Sequence, residues 1–314
     1  MSSTSSPRTS PSESSRGPEP VETEPVEPDA DDLEALDALF HRAKEYRRTK
    51  EYKNFLDFVG RLSKYSPYNN ALLHVQKPGA QYTATRRQWR DRFDRAVEPN
   101  SRPYVILQPG GPVMLVYDAS QTKPLSDEGK DLPKKVTDPF EVEGNVQEQT
   151  WKQTLQNCKQ ERVAVREDSK LHDRHGGRIE VDKRPARRNG SCSSIYLVTL
   201  NADLELESRY VALAHELAHL FLGHIGTDEG AWWDGRPDTS KAQKELEAES
   251  VAYLVARRAN LHSVSERYLH WYIRAEGPDA PLPHVQIRQV LDVVKYIEEM
   301  ATGGFTSARE DEDD

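Results

Sequence analysis

Long hydrophobic runs are missing from this 314-residue chain: nothing approaches the ~18 consecutive apolar residues of a membrane-spanning helix. Cysteine is almost absent. Cys158 and Cys192 are too few for a disulfide framework and lack the spacing of a thiolate metal site, so both are expected as free thiols in a reducing cytoplasm. The Ser/Pro-rich, acidic start carries no apolar h-region, so no secretory signal is expected, and no internal repeat is visible. Apolar residues make up only 36 % of the chain against 30 % charged, which is lean for one globule.

The deficit is concentrated at the two ends. Residues 1–32 hold eight carboxylates, two arginines and six prolines, with Val21 and Val26 as the β-branched aliphatics and no aromatic residue. The chain closes on Glu310-Asp311-Glu312-Asp313-Asp314. Such segments cannot bury enough apolar surface to offset their ordering entropy, so residues 1–32 and 306–314 are expected to be disordered. The ends carry about −10 of the formal charge of −9, which leaves the middle close to neutral.

Between the ends, helical spacing comes first: Leu33, Leu36, Leu39 and Phe40, then Tyr52, Phe55, Leu56, Val59 and Leu62. Ser66-Pro67 interrupts it, and a short apolar stretch runs from Tyr68 to Val75 before an amphipathic, basic helix over 84–93. Pro103–Leu107 and Val113–Tyr117, joined by Pro109-Gly110-Gly111-Pro112, predict a β-hairpin. Residues 119–140 are polar and read as a linker or mobile loop. A short helix at 151–158, strands at 162–166, 178–181 and 195–200, and a basic loop over 183–190 follow. Helices are then expected at 208–222, ending at Gly223, and at 241–258, 264–275 and 282–300. Helices, hairpin, strands, then helices point to an α+β fold. The expected division is a small, mainly helical domain at 33–125 and a second domain at 126–305.

Residues 215–219 read His-Glu-Leu-Ala-His. On a helix His215 and His219 share one face and can bind a single metal. Glu216, about 100° round, can aim its carboxylate at the same point without being a ligand. Zinc acidifies water and a nearby carboxylate can take the proton, so the pattern suits hydrolysis with Glu216 as the base. A third ligand is needed. Glu245 and Glu249 share a face of the 241–258 helix, and Glu245 is the favoured ligand, with Glu249 behind it to hold a ligand histidine by its second nitrogen. His224 competes as a third ligand or as an oxyanion donor, a role also open to Tyr196 and Tyr210. Glu247, about 200° from Glu245, reads as a solvated helix charge.

These residues, together with Leu222-Gly223-His224 and Glu245-x-x-Ala248-Glu249-Ser250-Val251-Ala252, resemble the ImmA/IrrE metallopeptidase group. Its pattern is a zincin helix followed by Glu-x-x-Ala-Asn/Asp-x-Phe-Ala. Glu249 and Val251 depart from that pattern, Glu249 towards the ArdC antirestriction branch. Ser66-Pro67-Tyr68-Asn69-Asn70 with Ala84-Thr85-Arg86-x-x-Trp89 is similar to the single-stranded-DNA-binding part of ArdC-like proteins. The resemblance implies a zincin-like fold, a Zn2+ cofactor, a Glu third ligand, and either limited proteolysis of a DNA-binding repressor or an antirestriction role.

Residues 41–95 support a nucleic-acid reading by themselves. They hold fourteen Lys or Arg and five Asp or Glu in an acidic chain, with aromatics interleaved. Basic groups can follow a single-stranded backbone while aromatic faces stack on bases. Arg86, Arg87, Trp89 and Arg90 are the candidate contacts, and Asn69 could position a base or phosphate. Trp232-Trp233 could wall a peptide cleft or clasp two helices together.

Overall fold

The i, i+3, i+4, i+7 spacing of Tyr52, Phe55, Leu56 and Val59 builds helix α1 (Thr49–Arg61), and all four side chains are buried. The computed structural model describes residues 49–61, 64–108, 113–127, 146–171, 176–182, 195–261 and 284–309, with short pieces at 129, 132, 187–188 and 191–192. The expected acidic leader, the Leu33–Phe40 helical spacing, the Pro109–Pro112 turn, the 264–275 helix and residues 310–314 lie outside the described residues. The start of the tail expected to be disordered is instead bonded to the body of the protein, Ser307 donating to Glu161 at 2.6 Å and Arg309 to Asp228.

Ser66-Pro67, read as an interruption, starts a new helix. Pro67 opens α2 (Pro67–Gln76), and the Ser66 hydroxyl accepts from the Asn69 amide as its cap. Helix α3 (Arg86–Phe93) begins with a reciprocal capping box between Thr85 and Gln88 and ends at Asp94 in the left-handed region, φ 49°. The expected hairpin is present as β3 (Tyr104–Ile106) and β4 (Met114–Asp118), in antiparallel register Tyr104↔Val116. Two-residue β1 (Thr83–Ala84) pairs with the other edge of β4. The supposed linker starts with structure instead. Ala119–Gln121 forms a 3-10 turn, and β5 (Thr122–Pro124) pairs with β2 (Arg95–Val97).

The second half is a three-stranded mixed sheet under helices. Helix α4 (Glu148–Gln160) leads into β6 (Val163–Asp168), followed by β7 (Gly177–Val181), short β8 (Arg187–Arg188) and β9 (Ser191–Cys192), and β10 (Tyr196–Asn201). The sheet order is β6-β10-β7, with β10 parallel to β6 and antiparallel to β7. Helix α5 (Leu206–Phe221) packs on β7 and β10, and α6 (Lys241–Arg258) packs on α5. Helix α7 (Ile287–Met300) closes the other side of α6. The architecture is therefore α+β, and among the described residues no helix is long and apolar enough to cross a membrane.

One hydrophobic cluster runs from Tyr52 to Met300 without a break near residue 125. It takes α1 and part of α2 into the same core as α5, α6 and α7. Each large apolar side chain fully buried there contributes roughly 1.5–3 kcal/mol, so four on α1 bind it firmly to the second half. Polar bonds add direction: Tyr52 Oη donates to Ser250 Oγ at 3.0 Å, Tyr253 donates to Asp57, and Arg258 donates to the Tyr65 carbonyl at 2.9 Å. The hairpin and α3 have smaller cores of their own.

Candidate metal centre

Two of the three metal-ligand candidates come from one helix turn. Helix α5 is buried on almost every side, with Val211, Leu213, Leu217 and Leu220 fully enclosed, so its histidines have one opening, towards α6 and β7. His215 Nε2 and His219 Nε2 lie 3.2 Å apart. Glu245, in the second turn of α6, places one carboxylate oxygen 3.8 Å from His215 Nε2 and the other 3.9 Å from His219 Nε2. These donor atoms all lie within 4.8 Å of one another, and the group could hold a metal ion. Two donors on a tetrahedral ion with bonds of about 2.0–2.1 Å are about 3.4 Å apart, a value the three separations bracket. Glu249, one turn further on α6, is buried but does not belong to this group.

The second nitrogen of His219 is held by His224, not by Glu249. His219 Nδ1 and His224 Nδ1 are 2.9 Å apart, and His224 Nε2 is 2.9 Å from Glu247 Oε2. His224 is therefore not a third ligand. Glu247 is not a solvated charge either: it is fully buried and accepts from Arg236 Nη2 at 3.1 Å, Gln243 Nε2 at 3.2 Å and the Gln286 amide at 2.9 Å. Burial alone would raise its carboxyl, but the hydrogen bonds from His224, Arg236 and Gln286 outweigh this and hold it down at about 2. Burial likewise lowers His224, against the pull of Glu247, which favours a neutral ring.

The proton positions follow from these partners. Ionised Glu247 can only accept, so His224 carries its proton on Nε2. Its Nδ1 is then a lone pair, and His219 must donate to it from Nδ1. That leaves the His219 Nε2 lone pair facing His215 and Glu245, the tautomer a metal ligand requires.

Glu216 is buried at 4 % exposure and lines the same cleft of about 290 Å³. Gly177, Arg178 and Ile179 of β7 form one wall, with Ile225, Lys244 and Glu245 completing it beside the histidines. The β7 residues were not read from the sequence as part of a site. The one available signal was the Gly176-Gly177 pair at the start of a strand, where glycine marks close approach of another group.

None of the three expected oxyanion donors is placed for that role. Tyr196 Oη donates to Asp228 at 2.8 Å, and Tyr210 is buried and does not line the cleft. Both nitrogens of His224 are engaged as described. Trp232 and Trp233 form a clasp rather than a wall, since neither lines this cleft. Trp232 stacks on Phe221 and packs against Tyr296, while Trp233 meets Phe221 edge-on.

The N-terminal candidates divide. Asn69 Nδ2 donates to the Leu107 carbonyl at 2.9 Å and its Oδ1 accepts from the Leu107 amide at 2.9 Å, which fastens α2 to the hairpin. Trp89 is fully buried, donates its indole N–H to the Tyr117 carbonyl at 2.8 Å and packs on Tyr82 and Phe93. It has no face for a base. Arg86, Arg87 and Arg90 of α3 are exposed; Arg86 also lies over the Tyr117 ring, and Arg87 pairs with Asp91 at 3.3 Å.

No family model matches this chain, and no curated protein or solved structure matches it.

Proposed function

We propose that the protein is a zinc-dependent metallo-endopeptidase of the ImmA/IrrE type. The observation that carries this reading is the convergence of His215, His219 and Glu245 on one point, with the buried Glu216 carboxylate in the same cleft. Two imidazoles and a carboxylate are a donor set typical of catalytic zinc. When bound, zinc supplies Lewis acidity to a peptide carbonyl and lowers the pKa of water. Glu216 accepts the proton from the attacking water and returns it to the leaving amine. An extended substrate would lie along β7, an edge strand of its sheet among the described residues and the one that lines the cleft, where main-chain pairing can orient it. The substrate class is a regulatory or DNA-associated protein cut at a limited number of bonds.

The test combines metal analysis with cleavage of candidate DNA-binding proteins followed by mass spectrometry. Near-stoichiometric zinc, lost in His215→Ala, and cleavage abolished in Glu216→Ala with zinc retained are the expected results. Zinc below about half an equivalent, unchanged by His215→Ala, rejects the reading.

A second reading, single-stranded-DNA binding in the antirestriction manner, is favoured by the exposed Arg86, Arg87 and Arg90 on α3. Here the contact is electrostatic, because Trp89 and Asn69 are used in packing. Reversing Arg87 and Arg90 to Glu should weaken DNA binding and flatten its salt dependence by up to about two phosphate contacts. In the combined reading, single-stranded DNA stimulates cleavage by holding a DNA-bound substrate near the cleft. Protection that survives Glu216→Ala favours the binder over the peptidase.

A further inference from the structure

Among the cleft residues, Gly177 makes an approach that no other amino acid could make unchanged. A Cβ built on it would lie 2.9 Å from Glu216 Cγ, 3.2 Å from Glu216 Oε1 and 3.0 Å from Leu200 Cδ2. The Glu216 side chain therefore occupies the space above the first residue of β7 that a side chain would otherwise take. Its neighbour Gly176 has φ +77°, and a Cβ there would come within 2.6 Å of Leu204 Cδ1, so the chain enters β7 through two positions that exclude a side chain for different reasons. Gly176 serves the turn. Gly177 has no positive φ, and its requirement comes from the contact alone.

The register explains why the contact is unyielding. Gly177 pairs with Leu200, and Arg178 with Thr199, so β7 is held laterally by β10. On the far side Glu216 belongs to the buried face of α5, between the fully enclosed Leu213 and Leu217. Neither backbone can retreat far without breaking a ladder or a core, so an added methyl must displace the Glu216 side chain or the Leu200 tip. Leu200 is itself fully buried.

We propose that Gly177 is a positioning residue for Glu216: the missing side chain on β7 is the seat of the carboxylate that serves as general base. The proposal rests on the peptidase reading for its functional consequence, but the physical coupling between positions 177 and 216 can be measured without any activity. The atoms nearest an added Cβ at Gly177 belong to Glu216 and Leu200 and not to His215, His219 or Glu245, so metal affinity and proton transfer should separate on substituting it.

The experiment is a double-mutant cycle with Gly177→Ala and Glu216→Ala, read by thermal unfolding and by zinc competition with a chelator, alongside kinetics of Gly177→Ala on a cleaved substrate. Gly177→Ala should lower Tm in the parent and by much less in Glu216→Ala, where the obstructed side chain is gone; the Leu200 contact is common to both arms and cancels. Zinc affinity should stay within about threefold, while kcat falls about tenfold to a hundredfold with KM little changed. Gly79→Ala, in open space, is the control and should change none of these. If Gly177→Ala aggregates but the double variant folds, the coupling is shown directly. Equal losses of Tm in both backgrounds, failure of both variants to fold, or a fall in kcat that follows zinc loss would overturn the proposal. Absence of hydrolysis by the parent protein would reject the peptidase reading and leave the stability cycle to decide the coupling.

Discussion

His224 Nε2 lies 2.9 Å from a Glu247 carboxylate oxygen, and both side chains are sealed from solvent. The pair sits behind a metal-ligand candidate, since the other nitrogen of His224 meets His219 Nδ1. Glu247 also reaches Arg236 on the loop after α5 and the Gln286 amide before α7. One carboxylate on α6 thus sets the orientation of a histidine on α5 and anchors the chain on either side of it.

Replacing His224 should therefore loosen the metal without removing a ligand. His224→Phe keeps a flat aromatic ring but takes away the acceptor for His219 Nδ1, and zinc affinity should drop by about 10–100-fold. Glu247→Ala removes the partner of Arg236 as well, and should cost about 3–5 kcal/mol of stability by leaving a buried cation uncompensated. Chelator competition reads the first and urea unfolding the second. An unchanged zinc affinity in His224→Phe would mean that the relay does not orient His219.

The shared core makes a second prediction about the two halves. A fragment beginning at residue 126 would lose Tyr52, Phe55, Leu56, Val59 and Leu72 from the cluster that also holds Leu254 and Val255. It should not fold as a cooperative unit: near-ultraviolet dichroism should be weak, and a hydrophobic dye should bind. Tyr52→Phe in the full chain is the mild version, expected to cost about 1 kcal/mol through the lost bond to Ser250. A fragment with a sharp thermal transition near that of the full chain would show that the second half is self-sufficient.

A third prediction concerns pH. His74, on α2, lies edge-on to Phe55 and Phe58 with ring centroids 5.6 and 4.9 Å away. Burial, helped by the Arg61 charge, lowers it from 6.5 to about 4. Between those values the folded protein holds the ring neutral while the unfolded chain is protonated, so the unfolded state binds more protons. Its contribution is complete above pH 6.5 and is lost as pH falls through about 4. At this half-buried site the effect should be about 1–2 kcal/mol after allowing for solvent screening. Urea unfolding across this range should show a flatter acid limb for His74→Asn than for the parent. Identical slopes would assign the acid sensitivity to other groups.

Much of this protein is written in local pattern. The His215-Glu-Leu-Ala-His219 spacing puts two imidazoles on one face of any helix, and the surrounding apolar residues make that helix a buried one. Short strand-like runs locate β3, β4, β6, β7 and β10 to within a few residues, and helical spacing places the 241–258 helix at its observed ends. Such features depend on neighbours three or four residues away, which a sequence displays directly.

Tertiary structure decided which polar groups on those elements are used, and for what. Glu245, Glu247 and Glu249 occupy a single turn and a half of α6, yet Glu245 faces the histidines while Glu247 is fully buried against Arg236, His224 and Gln286. Those last partners come from the loop after α5 and the start of α7, and no periodicity within α6 encodes them. Trp89 and Asn69 show the same limit: their chemistry suits a nucleic acid, but the fold sets them against the Tyr117 carbonyl and the Leu107 backbone, and their polar atoms are bonded there. A buried polar group takes whichever partner the packing brings within reach, and that partner can be tens or hundreds of residues away along the chain.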